Sequence, residues 1–303
     1  MNAPVQFDRE KVRLGVTPTL WWNDDFPSID IGISFEQCVS EMALAGFEGC
    51  SVGHKYPKDP EVLKRELGLR GLRVSEPWAS TLFTVAEMEN RTVEGFRQQM
   101  AFIKEMGGTD VVVAELGHAV HQQPVYVLAN KPIFSDEQWG RMVEGLNRLG
   151  RMAAEEDMRL CYHHHMGTGV QTRAEVDRLM NDTDPEVVHL LFDTGHLYWA
   201  GDDPLDMARA YAERIKHVHL KDIRQDVLDH CMERKMSFLE SVIEGAFTVP
   251  GDGVIDFEPI FRTLADAGYE GWLIVEAEQD PHKANPLEYA KKARAYLGQV
   301  TGL

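Results

Sequence analysis

Residues 159–193 read RLCYHHHMGTGVQTRAEVDRLMNDTDPEVVHLLFD, and the order of patterns in this stretch sets the fold. An apolar run at 159–163 gives way to a helical pattern at 174–181, then to a second run at 187–193. That second run is almost continuous in Val, Leu and Phe, the composition of a strand buried on both faces. Two such strands joined through a helix lie parallel. Outward from this unit, short apolar runs recur near residues 12–17, 49–53, 73–76, 110–115, 215–220 and 272–276, eight in all. Amphipathic stretches separate them at 35–45, 60–69, 92–106, 137–156, 204–213 and 257–267, and a last helix at 286–297 follows the eighth run. Ser135 ahead of an acidic first turn, and Gly107 with Gly108 after another helix, punctuate the same register. Eightfold strand–helix alternation predicts an α/β fold, a single (β/α)8 TIM barrel spanning 1–303. After the first run the chain reads LGVTPTLWWN, without the GxGxxG loop that a dinucleotide-binding sheet needs. Residues 224–249 are surplus to the rhythm. They are expected to form an inserted loop and helix segment over the active face.

The 303 residues are 44% hydrophobic and 26% charged, an ordinary balance for a chain with a sizeable core. A formal net charge of −18 repels phosphate backbones, so nucleic acid is not an expected partner. No apolar run approaches a membrane span, and MNAPVQFDREKVRLG carries no apolar signal core, so the expected location is cytoplasmic. Cys38, Cys50, Cys161 and Cys231 form no CxxC pair and read as reduced, buried thiols.

Barrel enzymes carry their chemistry where strands end and the following loops begin. Four successive strands here end in metal-ligand residue types, as LCYHHHMGT, HLLFDTGH, IKHVHLKD and WLIVEAEQD. Alternation along a strand puts His163 on one face with His165, and His217 with His219. One inward group per strand gives His163, Asp193, His219 and Glu276. These two imidazoles and two carboxylates would balance a divalent cation and suit Mn, Co, Fe or Zn better than Mg or Ca. Each group alone has an ordinary explanation: a solvated histidine loop, a helix-capping aspartate, a hydrogen-bonded core histidine, a solvated glutamate. Their coincidence at one end of one barrel points to a metal. Around them, His196 and Lys221 are candidates to contact substrate oxygens. Glu76 and Glu115, ending the third and fourth strands, are candidate bases, and His54 with Lys55 follows the second. Trp21, Trp22 and Trp78 are either core residues or a face on which a sugar ring stacks.

At FDTGH, HVHLKD and VEAE the chain resembles the xylose-isomerase-like barrel superfamily of sugar epimerases, isomerases and dehydratases. That resemblance implies a metal held by Glu, Asp, His and Glu from the last four strands. Asp193, His219 and Glu276 match three of these positions, and the histidine trio replaces the first Glu, with His163 in its place. Within the superfamily the chain is similar to the branch that dehydrates 2-keto-myo-inositol (inosose). The similarity runs through CYHHHMGTGVQT (161–172), FDTGHLYWAG (192–201), HVHLKDIR (217–224) and SFLESVIEGAFTVPGDG (237–253), of which the trio and FTVPGDG are selective. It implies a cyclic keto-polyol substrate, Mn or Co as cofactor, and glutathione, for which the chain has no residue motif. An epimerase or isomerase of the same barrel would share metal and enediolate but return the proton to carbon. A barrel that binds a polyol without turnover is the reading from another class. The sequence is compatible with a homo-oligomer and does not set its size.

Overall fold

A computed structural model of the protein describes residues 5–303. Its strands are β1 (Val12–Val16), β2 (Gly49–Cys50), β3 (Arg73–Val74), β4 (Trp78–Thr81), β5 (Asp110–Glu115), β6 (Arg159–His163), β7 (Val188–Asp193), β8 (Ile215–Leu220), β9 (Asp222–Ile223), β10 (Phe247–Thr248) and β11 (Gly271–Val275). The helices are α1 (Phe35–Ala45), α2 (Pro60–Gly68), α3 (Glu89–Glu105), α4 (Val127–Asn130), α5 (Asp136–Ala154) and α6 (Arg173–Asp182), then α7 (Thr194–Trp199), α8 (Pro204–Tyr211), α9 (Gln225–Glu233), α10 (Phe238–Glu244), α11 (Phe257–Asp266) and α12 (Pro286–Thr301). Nine strands form one parallel sheet in the order β3-β2-β1-β11-β8-β7-β6-β5-β4. The curled sheet and its outer helices are a TIM barrel.

The expected third strand, 73–76, is divided. Residues 75–77 separate β3 from β4, and Pro77 has no N–H to give to a ladder. The barrel still closes through this gap. Ser75 N–H donates to Cys50 O (2.9 Å) on one side, and Pro77 O accepts from Val112 N–H (3.2 Å) on the other. Glu76, in the gap, is thereby released from strand pairing and faces the cavity.

Local chemistry sets the helices as the sequence implied. Ser135 and Gln138 form a reciprocal capping box at the start of α5, whose buried Trp139, Met142, Leu146, Leu149 and Ala153 recur at helical spacing. Inside the barrel, Val112, Cys161 and Leu191 from β5, β6 and β7 form a small apolar layer of their own. Register then brings ligand-type groups together above it. A shift between Leu190 and Leu191 makes Asp193 the neighbour of His219, and Ile274 pairs with His219 one strand further on.

Residues 224–249, expected as an inserted loop and helix segment, contain two helices, α9 and α10. The excursion is gathered at its root by the antiparallel pair β9 and β10. Arg224 donates to the carbonyls of Gly245 and Phe247, and Asp222 accepts backbone N–H bonds from Ile223, Gly251, Gly253 and Ile255. A Cβ at Gly253 would lie 2.3 Å from Ile223 O and 2.4 Å from Asp222 Oδ1, so the PGDG turn requires glycine there. No helix among the described residues is long and apolar enough to cross a membrane.

Candidate functional site

The four strand-end groups singled out in the sequence converge. Asp193 Oδ2 lies 3.6 Å from His163 Nε2 and 3.8 Å from His219 Nδ1, while Glu276 Oε2 lies 2.6 Å from His219 Nδ1. All four are buried. The other Asp193 oxygen, Oδ1, accepts from His196 N–H (2.8 Å) and caps α7, which fixes the carboxylate's direction.

The histidine trio divides as strand alternation requires. His163 and His165 face the cavity, whereas His164 Nε2 accepts from the Asp193 N–H (3.3 Å) on the other side of the strand. Burial, then the charge of His163, pushes His164 down to about 3, so it is a neutral prop for the Asp193 backbone. Met166 O lies 2.7 Å from His165 Nδ1. A carbonyl can only accept, so Nδ1 carries the proton and the Nε2 lone pair is left free.

His196 and Lys221 do not reach the cavity as expected; both are fully buried behind the strand ends. Lys221 Nζ donates to Glu276 Oε1 (2.8 Å) and Glu278 Oε2 (2.9 Å) and lies 2.9 Å from His196 Nε2. Burial opposes the charge on Lys221, but Asp193, Glu276 and Glu278 around it hold its pKa above the ordinary value. Gly195 explains why FDTGH has glycine: a Cβ there would sit 2.6 Å from Lys221 Cγ.

Glu76 lines the cavity, with Oε1 3.6 Å from His219 Nε2 and Oε2 3.3 Å from His217 Nε2. His217 Nδ1 in turn lies 3.1 Å from Asp110 Oδ2, and Asp110 Oδ1 accepts from Arg159 Nε (2.7 Å). Burial works against ionising Glu76, yet His217 and His219 keep its pKa below the usual carboxylate value. Glu115 is a different case. Its two oxygens accept five hydrogen bonds, from Thr81 Oγ1, Phe83 N, Thr84 N, Thr84 Oγ1 and Gly117 N, which leaves it saturated and turned from the cavity. It organises the loop after β4 instead of meeting substrate. Glu115→Ala is expected to lower unfolding free energy by at least about 3 kcal/mol, since several buried donors lose their acceptor. Denaturant titration beside elemental analysis checks this, with metal content expected to stay at the wild-type level.

The cavity above these groups measures about 370 Å³. Its rim carries residues that the sequence reading did not single out. Asp25 Oδ1 accepts from Gln122 Nε2 (2.6 Å), His121 Nε2 lies 3.5 Å from Asp25 Oδ2, and Asn23 Nδ2 donates to Glu278 Oε1 (3.3 Å). Trp21 and Trp22 are core, whereas Trp78 is 40% exposed beside the cavity with its ring centroid 5.7 Å from that of His163. His54 pairs with Asp24, itself part of the cavity lining, and Lys55 pairs with Asp30.

A divalent cation fits this donor set. Asp193 Oδ2, both Glu76 oxygens, both His219 nitrogens and His163 Nδ1 are buried without a hydrogen-bond partner. Unsatisfied buried polar atoms cost about 1–3 kcal/mol each. Three carboxylates, Asp193, Glu276 and Glu278, gather around one lysine, and a fourth, Glu76, lies against His217 and His219. In that excess of negative charge His219 is pushed up to about 10, against burial, by Glu276 and Glu76. His163, Asp193, His196 and Glu276 bring donor atoms within 4.8 Å of one another, so His196 competes with His219 for the fourth ligand place, and His219 groups in the same way with Glu76 and His217. The His196 Nε2 lies 2.9 Å from the Lys221 ammonium, which engages its lone pair.

Residues 29–300 match the xylose isomerase-like TIM barrel family, and the chain belongs to it. Within that family it stands with the inosose dehydratases. It is 52% identical to those of Geobacillus thermodenitrificans and Clostridium tetani, over 98% of this chain and 100% of each relative. Solved structures of the same fold include an L-ribulose 3-epimerase (20% identity, 95% of this chain and 93% of that one, TM-score 0.69). Another is the IolI protein with a bound zinc atom (15% identity, 96% and 98% coverage, TM-score 0.71).

Proposed function

We propose that the chain is a metal-dependent hydro-lyase that removes water from 2-keto-myo-inositol in inositol catabolism. The observation that carries this reading is full-length identity of about half to inosose dehydratases, joined to a buried His/Asp/Glu centre opening into a cavity of about 370 Å³. His163, Asp193, His219 and Glu276 would hold the ion, and the mixed nitrogen and oxygen set favours Mn or Co. When bound, a divalent ion there would polarise the substrate ketone and favour loss of a proton from the neighbouring carbon.

The remaining work falls to the chain itself. Glu76, whose pKa His217 and His219 hold below the usual carboxylate value and which lines the cavity, would take that proton. The electron pair left on carbon then expels the hydroxyl on the next carbon, which departs as water once an acid supplies its proton. The enol so formed rearranges to the second ketone of the product. Trp78 offers an apolar face to the ring, and Lys221 and His196 act through Glu276 and Glu278 as positioning residues. Glutathione rests on resemblance alone, and no residue is assigned to it. The corresponding cellular reading is a cytoplasmic enzyme, for which the −18 charge disfavours nucleic acid as a partner.

Metal-reconstituted protein incubated with 2-keto-myo-inositol is expected to give a product lighter by one water, by mass spectrometry. Chelator should stop the reaction and Mn or Co should restore it. Product of unchanged mass would replace dehydration with isomerisation.

A further inference from the structure

We propose that the Lys221 ammonium fills the second of two adjoining cation positions, and that it thereby holds this centre to a single metal ion. The inference goes beyond the reaction, and it rests on the metal placement proposed above.

The shell around Lys221 Nζ is that of a metal site. Glu276 Oε1 lies at 2.8 Å, Glu278 Oε2 at 2.9 Å, His196 Nε2 at 2.9 Å and Asp193 Oδ2 at 3.5 Å, with the Phe247 ring centroid 4.7 Å away. The distances from Glu276, Glu278 and His196 to the buried cation exceed metal–ligand bonds only by what an ammonium's hydrogen bonds require, and Asp193 stands farther off at 3.5 Å as an ion-pair partner. Two of these carboxylates touch both positions. Glu276 turns Oε1 to Lys221 and Oε2 to His219, and Asp193 Oδ2 lies between Lys221, His163 and His219. That is the sharing expected of carboxylates bridging a pair of ions.

A further donor set is already grouped there. His165, His196 and Glu278 place ligand atoms within 4.8 Å of one another, and the free lone pair of His165 is on Nε2. The fixed charge of Lys221 lies 2.9 Å from two members of that set, His196 Nε2 and Glu278 Oε2, and repels a second divalent ion. Its stem is seated against the backbone of Gly195, where a side chain would leave no room. Removing the ammonium leaves Asp193, Glu276 and Glu278 with one positive charge fewer and an open volume among metal-ligand groups.

The test compares wild type with Lys221→Ala, Lys221→Ser and Lys221→Met, all purified with Mn(II) present throughout. Bound metal is counted by elemental analysis, and Mn–Mn exchange coupling is sought by low-temperature EPR. Wild type and Lys221→Met, which keeps the volume without the charge, are expected to hold one ion per chain. Lys221→Ala and Lys221→Ser are expected to hold two, with a coupled signal, and adding Glu278→Gln to Lys221→Ala should return the count to one. A count of one or none in folded Lys221→Ala and Lys221→Ser overturns the proposal. So does failure of both variants to fold with Mn(II) present, because an ion in that shell would replace the missing charge. A wild-type chain without bound metal would overturn the metal placement itself.

Discussion

Asp193→Asn protein is expected to fold normally, to bind its divalent ion more than ~100-fold less tightly and to lose turnover by ~10³-fold or more. Asparagine is the informative replacement because it keeps an oxygen to accept from His196 N–H and cap α7. Alanine would remove that cap as well, adding about 1 kcal/mol of instability unrelated to metal. What the asparagine removes is the charge of Oδ2, the buried oxygen without a hydrogen-bond partner that faces His163 and His219. Outer groups that merely orient ligands are worth ~10–100-fold in affinity, so a ligand itself should exceed that. Elemental analysis and circular dichroism on the same sample decide the matter. Wild-type metal content in Asp193→Asn would remove this residue from the ligand set.

Glu76→Gln should separate metal binding from proton transfer. The substituted amide keeps the size of the glutamate and sits in the same break between β3 and β4, yet cannot take a proton. Turnover should fall by ~10²–10⁴-fold, the usual worth of a positioned base, with metal content unchanged. Substrate deuterated next to the ketone should keep its label in the variant and lose it to solvent in wild type. If the variant exchanges the label at the wild-type rate, another group is the base. The chain Arg159–Asp110–His217 would then serve only the barrel interior.

The parts of the molecule legible in the sequence are those with a period. Parallel strands buried on both faces announce themselves as continuous apolar runs, and β5, β6 and β8 begin and end where the runs do. Alternation likewise separates His163 and His165 from His164. The same rule pairs Glu276 with Glu278, so Glu278 was readable from VEAE by the argument already applied to the trio. What escaped has no period. Asp25, His121 and Gln122 reach the rim from loops, and only the closed barrel brings them together. Glu115 ends a strand as Glu76 nearly does, and nothing in the residue type distinguishes a saturated carboxylate from a free one. The burial of His196 and Lys221 was not legible for a related reason. Both sit at strand ends, but the direction of α7 and the seat at Gly195 carry them behind the ligands.

The ladder between β9 and β10 has a consequence for how this barrel can diversify. It pins both ends of the 224–249 excursion beside the seventh barrel strand, so the excursion is closed at its root like a purse-string. Closing a longer or shorter chain over a fixed root changes free energy only with the logarithm of its length, about 0.6 kcal/mol per doubling. Phe238 and Phe247, carried on this excursion, are the aromatic backing of His165 and His196. Descendants of this chain can therefore lengthen, trim or exchange α9 and α10 and so reshape that backing. The strand-end donors beneath would keep their register, because no ladder that positions them runs through the exchanged residues.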